Sequence, residues 1–451
     1  MTQLPTELRI KNTSSEGGEE TLLCTDLLRA VPGKRQTYDA WWNDTQVIVK
    51  TFSHKISAKR HLSREVKGLN RLQKRGLNSA KPLFYGKAED GRGAVVIQKI
   101  VNSKTALEIF TGTSEKRKKM DLLLQVSREL AQQHSKGVVQ KDLHLGNFLL
   151  ADNQIYTLDP GQMQFFRHPL SRQKSISQLA KLVCCLPADE TPSAEELCKE
   201  YFKTRDWVFG KSDQSLLDQQ VTLHRKRGIR HGLKKCLRTS KRYRRIQDGP
   251  FVAVFDRGFC QKSEPVDFIK QIDALMDAGQ ILKNGNTCYV SRLTWDGMDV
   301  VVKRYNHKGL IHSLRHTIKK SRARRGWLDA HHLGMREIPT PKPLAYIEQW
   351  IGPLVWTSYL VTQYTEGPSL YHFLRNGSIT PEQRATVIRQ VKKLLDQLAK
   401  YRITHGDLKH SNILISENGP TLTDLDSVQF HICHWTYRIR SAKDRVHIEW
   451  V

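Results

Sequence analysis

Long apolar runs are missing from this 451-residue chain. A membrane helix needs roughly 20 consecutive apolar residues, and the best candidate, Trp350 to Val361, is short and interrupted by Gly352 and Pro353. That run reads as buried strands joined by a turn. The N-terminus has no basic segment leading into an apolar one, so no secretory signal is visible. The eight cysteines include no C-x-x-C pair, and the only close pair is Cys184-Cys185. This excludes a zinc framework, argues against a disulfide framework, and makes reduced cytosolic thiols the default. Acidic residues are scarce as well: 45 Asp and Glu face 73 Lys and Arg, a net charge of +28. Such a surplus attracts polyanions, and it admits nucleic acid, anionic lipid head groups and phosphorylated substrates as partners. A cytoplasmic protein is expected, with surface attachment to a membrane left open.

Core-forming material is plentiful. Hydrophobic residues make up 39% of the chain, with nine Trp, fourteen Phe and thirteen Tyr, so global disorder is excluded and the length favours two or three domains.

Two stretches repeat one layout. Gln46 to Phe52 (QVIVKTF) is a β-rich run with a lysine near its end, followed by a basic helical segment and AKPLFYG. Met298 to Tyr305 (MDVVVKRY) is followed likewise by SRARRGWLDAHHLGMRE and PKPLAYI. With Arg64 aligned to Arg325, Glu65 and Gly326 each precede the next strand's proline, Pro82 or Pro343, by 17 residues. The repeat continues in Gly137 to Phe165 and Arg402 to Phe430. In both, an Asp precedes an Asn by five residues (Asp142 and Asn147, Asp407 and Asn412) and another Asp follows by twelve (Asp159, Asp424). Between the copies, Arg225 to Arg245 holds eleven Lys or Arg in 21 residues with apolar positions at helical spacing. The boundary is placed just after it, giving domains 1–245 and 246–451.

The residue types suit phosphoryl transfer. A lysine at the end of a buried strand can hold phosphate oxygens, and a carboxylate on the next helix can hold the lysine. An Asp five residues before an Asn can place a base and a magnesium ligand on one side of a cleft, and the later Asp adds a hard oxygen ligand. Phosphoryl transfer asks for little else. Taken singly, a strand-end lysine is ordinarily a surface residue and a loop Asp ordinarily caps a turn; the full set at repeated spacing reverses that reading.

QKDLHLGN and HGDLKHSN resemble the catalytic loop of the protein-kinase-like fold, and DPG at Asp159 and DLD at Asp424 take the place of its metal-binding motif. More narrowly, VVVKRY, KSRARRGW, EIPTPKPLAY, THGDLKHSNIL and LTDLDS resemble the bacterial lipopolysaccharide-core kinases, which phosphorylate heptose or Kdo sugars. The resemblance implies an α+β chain of two tandem kinase-like domains, each with a small β-rich N-lobe and a reduced helical C-lobe. It implies ATP and Mg²⁺ as cofactors and a lipopolysaccharide core glycolipid or its precursor as partner, at an anionic membrane surface. Lys50 and Lys303 would contact phosphates, with Glu65 pairing with Lys50. Asp142 and Asp407 would orient or deprotonate the acceptor hydroxyl, Lys409 would meet the transferred phosphate, and Asn147 with Asp159 and Asn412 with Asp424 would bind Mg²⁺. His144 and His405 are expected to stabilise the loops rather than act as acid or base.

The departures are specific. Gly326 stands where the second copy needs a helix carboxylate, and Asp329, three residues on, is the expected substitute. The phosphate-covering segments RAVPGKRQT and LKNGNTCYV each hold one glycine. The second copy runs only 27 residues beyond Asp424. The first copy is therefore expected to be a complete kinase, and the second either a second kinase or a regulatory pseudokinase. A protein Ser/Thr kinase and a tandem pseudokinase scaffold are the alternative functions. Nucleic-acid binding lacks any supporting motif.

Overall fold

The computed structural model describes residues 5–11, 19–31, 33–54, 56–186, 191–306 and 320–446. The chain is mixed α/β and divides into two compact units, Met1–Lys226 and Arg227–Val451.

The first unit opens with a six-stranded antiparallel sheet in the spatial order Thr6–Lys11, Glu19–Val31, Arg35–Trp42, Thr45–Phe52, Gly93–Gln98, Pro82–Lys87. Period-2 alternation assigns the faces. Val47 and Val49 join Ile10, Leu22, Tyr38 and Phe84 in one buried cluster. Ile48 and Phe52 point the other way, into a cluster with Leu62, Val66 and Leu69 of helix Ile56–Lys74. Lys50 shares the parity of Ile48 and Phe52, so the strand aims it at that helix. A second core follows, built from helices Lys116–Ser135, Arg172–Val183 and Thr191–Thr204 with Leu145, Phe148 and Ile155.

The second unit has a seven-stranded antiparallel sheet in the order Tyr243–Asp248, Phe251–Asp256, Pro343–Ile351, Leu354–Gln363, Met298–Tyr305, Cys288–Trp295, Gln280–Gly285. Helices cover it on both faces. Val300 and Val302 pack with Phe268, Ile269 and Ile272 of helix Pro265–Ala278. Tyr305 lies with Ala323 and Trp327 of helix Arg322–Gly334 on the opposite face, and Lys303 has the same parity. Helix Pro381–Lys400, opened by a Thr380–Gln383 capping box, buries Val387, Val391, Leu394 and Leu398 against Ile403, Ile413 and Leu422.

The division between units falls within the basic segment and not after it. Helix Lys211–Lys235 contains the division, and the segment's last residues are not helical: Tyr243–Asp248 is a strand paired with Phe251–Asp256. Trp327 explains why these residues belong to the second unit. Its buried indole Nε1 donates to the Cys236 carbonyl at 3.0 Å, and its ring meets Tyr243 edge-on at 5.7 Å.

Candidate functional site

In the first unit, Lys50 is buried by the sheet and by helix Ile56–Lys74, and its Nζ pairs with Oε1 of the buried Glu65. Asp159 Oδ1 lies 3.9 Å from the same ammonium. Asp159 adopts the left-handed conformation (φ 49°, ψ 54°), which turns the chain abruptly into the short helical turn Pro160–Gln162. Asn147 sits in another short turn, Leu145–Asn147, and its Nδ2 donates to the Asp142 carbonyl at 2.7 Å. The Asp142 side chain is 77% exposed, with His144 Nε2 at 3.8 Å from Oδ2. All five first-unit residues singled out in the sequence thus fall into two linked groups, Lys50–Glu65–Asp159 and Asp142–Asn147.

The second unit repeats this geometry. Asp424 is left-handed (φ 54°, ψ 60°) before the turn Leu425–Ser427, and Asn412 Nδ2 donates to the Asp407 carbonyl at 2.8 Å. Lys409 Nζ lies 3.0 Å from Asp407 Oδ2. Burial works to raise the Asp407 pKa, but the hydrogen bond and charge of Lys409, with help from Asn412, hold the carboxyl below its ordinary value. His405 Nε2 donates to the Thr423 carbonyl at 2.9 Å, a bond that ties the loop to the segment before Asp424.

The lysine holders differ. Lys303 Nζ contacts Asp424 Oδ1 at 2.5 Å and Asp426 Oδ2 at 3.0 Å. Asp426 is held in turn by the Tyr305 hydroxyl at 2.6 Å and by Arg322 at 2.5 Å. Burial opposes the lysine's charge, yet Asp426 and Asp424 together raise its pKa. Asp426 is itself kept below the ordinary carboxylate range, because Lys303, the Tyr305 hydroxyl and Arg322 outweigh its desolvation. Asp329, the expected substitute, makes no ion pair with Lys303 among the described residues, and burial pushes its carboxyl up to about 7.

A carboxylate and a glycine have exchanged places between the units. The first has Glu65 on the helix and Gly161 two residues after Asp159; a Cβ on Gly161 would stand 2.7 Å from Glu65 Oε2. The second has Gly326 on the helix and Asp426 two residues after Asp424; a Cβ on Gly326 would stand 2.8 Å from Leu360 Cδ2. Each lysine therefore has one carboxylate besides that of the left-handed Asp, delivered from opposite walls. The sequence displays this exchange as DPG against DLD and Glu65 against Gly326; what it does not display is that the two positions face each other.

Other contributors escaped the sequence reading. Arg35, the first strand residue after the turn that follows Val31, reaches Asp159 at 3.6 Å. Lys181, from a distant helix, stands near Asp142 and donates to the Lys141 carbonyl at 3.2 Å. Asp444, on helix His434–Val446, accepts the backbone N–H groups of His405 and Gly406 at 2.7 and 2.9 Å, fixing the loop that leads into Asp407. Arg35 lies in the phosphate-covering segment RAVPGKRQT, whereas no local motif marks Lys181 or Asp444.

A cleft of about 480 Å³ opens in the second unit. One part is apolar, with Val290, Val301, Leu360 and Leu414; the other holds Lys303, Asn412, Asp424 and Asp426. The donor set fits Mg²⁺, which takes one or two protein oxygens and fills its octahedron with phosphate and water. Asn412 spends its N–H groups on Asp407, directing its carbonyl oxygen elsewhere, and Asp424 contributes a carboxylate on the same wall. Asp159 faces two cations, Arg35 at 3.6 Å and Lys50 at 3.9 Å, where Asp424 faces Lys303 at 2.5 Å.

Among solved structures, a crystal structure of a kinase domain is similar at 13% identity and a TM-score of 0.30, over 36% of this chain and 62% of that domain. The match spans less than two thirds of that domain's length. The segment that carries Lys303, Asp407, Asn412, Asp424 and Asp426 is the one that a family describes: residues 274–443 match the model of the lipopolysaccharide kinase (Kdo/WaaP) family.

Proposed function

We propose that this protein is an ATP- and Mg²⁺-dependent phosphotransferase that phosphorylates a sugar hydroxyl, of heptose or Kdo, in the lipopolysaccharide inner core, and that its working site is the cleft of the second unit. The observation that carries this reading is the cleft, which places an apolar wall beside Lys303, Asn412 and Asp424. The family match over residues 274–443 supports the reaction class and the acceptor class. Both units are read as copies of one kinase-like domain, with the first retained beside the catalytic second.

The apolar wall suits a nucleobase, and Lys303 then meets the phosphates as a fixed point charge. Asn412 and Asp424 would hold Mg²⁺, which would supply neutralising charge for the transferring phosphoryl group. Asp407 accepts the acceptor hydroxyl's hydrogen bond and orients its oxygen for in-line attack. Its depressed pKa makes it a weak base, which is adequate because a loose phosphoryl-transfer transition state needs positioning more than early deprotonation. Lys409, beside Asp407, offsets negative charge as the phosphate moves toward the acceptor. The basic surplus favours encounter with an anionic glycolipid at the cytoplasmic face of the inner membrane.

The test is phosphate transfer from labelled ATP to purified core oligosaccharide. Asp407→Asn is expected to lose about 100-fold or more, with Asp142→Asn close to wild type. The opposite pattern would move the chemistry to the first unit. Transfer to Ser/Thr peptides without transfer to core sugar would overturn the acceptor class.

A further inference from the structure

Helix His434–Val446 has two faces. Tyr437, Ser441 and Asp444 are buried, and Asp444 fixes the backbone ahead of Asp407. On the other face Ile432, just before the helix, is 94% exposed, Trp435 71% and Ile439 55%. Their spacing at i, i+3 and i+7 makes one stripe, and exposed apolar stripes of this kind mark interaction sites.

The charge around the stripe indicates what it meets. Among the residues of the helix whose side chains are described, Arg438 and Arg440 stand against one acid, Asp444, and that acid is turned inward. Arg438 and Arg440 are exposed, as is Arg402, whose guanidinium donates to the Ile432 carbonyl at 2.9 Å. Apolar side chains that include a tryptophan, rimmed by arginines and free of exposed acid, suit the interface of an anionic bilayer, where the indole lies at head-group level and the guanidinium groups meet phosphates.

We propose that Ile432, Trp435 and Ile439, with the surrounding arginines, form a docking patch that seats the second unit on an anionic membrane surface. The patch and the catalytic loop are opposite sides of one helix, so docking would hold Asp407 at a set height above the bilayer. This purpose rests on the kinase reading given above; the docking itself does not.

The experiment is flotation of the full chain with vesicles of phosphatidylethanolamine and phosphatidylglycerol, without ATP or acceptor. Wild type should float with phosphatidylglycerol-containing vesicles and not with neutral phosphatidylcholine ones. Ile432→Ser with Trp435→Ser should weaken binding at least about tenfold, with an unchanged thermal melt; Arg438→Gln with Arg440→Gln should weaken it several-fold and flatten its salt dependence. Equal binding by the apolar double variant, or no wild-type binding, overturns the proposal. So does a concentration-dependent dimer abolished by Trp435→Ser, which would assign the patch to a second copy. Because no phosphate transfer is measured, failure of the kinase reading leaves these outcomes interpretable. If both readings hold, the apolar variant phosphorylates soluble core oligosaccharide normally and vesicle-embedded glycolipid poorly.

Discussion

Lys50 and Lys303 occupy matching strand positions and are held from opposite directions. In the first unit the carboxylate comes from the helix, as Glu65, and the loop beyond Asp159 must be glycine to admit it. In the second the helix closes on Leu360 through Gly326, and the loop beyond Asp424 supplies Asp426, braced by Tyr305 and Arg322. The lesson concerns what the fold constrains. A cation on a buried strand needs an anion nearby, and either wall can provide it; in the first unit the other wall gives up its side chain to admit it. The absence of the helix glutamate is therefore no sign that the second site is defunct.

The hardest test of this comparison removes Asp426. Asp426→Asn is expected to lower kcat/KM for ATP by about 30-fold, near 2 kcal/mol at the transition state, while Glu65→Gln leaves core-sugar phosphorylation within about twofold. The same two variants, assayed side by side, would break the assignment if Glu65→Gln were the crippled one. Restoring the first unit's arrangement sharpens it: Asp426→Gly with Gly326→Glu and Leu360→Ala should recover several-fold of the activity lost in Asp426→Gly alone. A structural role without lysine positioning would show no such rescue. Asp426→Ala should also cost about 3 kcal/mol in denaturant unfolding, because Lys303 and Arg322 lose a partly buried partner.

Much of this was legible in the sequence, for reasons that mark its limit. Asp142, Asn147 and Asp159, like their counterparts in the second unit, lie on short connected segments, so fixed spacing carries their geometry. The β runs around Lys50 and Lys303 were legible through their apolar residues. Contacts across the chain were not. Asp426 meets Lys303 at a separation of more than 100 residues, Arg35 reaches Asp159 across a similar separation, and Lys181 and Asp444 reach their loops from elements with no motif of their own. The basic segment is helical as expected through Lys235 and misled only at its end: arginines and lysines suit an exposed helix and an edge strand alike, and the burial of Tyr243 against Trp327 accompanies the strand.

The glycines give a smaller contrast. A Cβ on Gly68 would stand 2.5 Å from the Pro160 carbonyl oxygen, a backbone atom that cannot swing aside, whereas the one on Gly326 meets the end of a leucine side chain. Gly68→Ala should therefore destabilise by about 3 kcal/mol despite the helix propensity gained. Gly326→Ala should come out near neutral, since a rotamer shift of Leu360 is offset by about 1 kcal/mol of helix propensity. Denaturant midpoints decide between these outcomes, and equal costs would show that both helices are seated with the same rigidity.

The smallest effect separates the two loops by pH. Asp407 has Lys409 beside it at 3.0 Å, where Asp142 has His144 at 3.8 Å. Because the folded-state pKa of Asp407 is lowered, its ionised form persists below the ordinary carboxylate value of about 3.9. Its contribution is present above that value and is lost only as the pH falls through the folded pKa. The acid limb of kcat should accordingly lie below the ordinary carboxylate range. Lys409→Met should move that limb upward, and a limb unmoved by Lys409→Met would mean that the lysine's charge does not reach the group whose ionisation the rate reports.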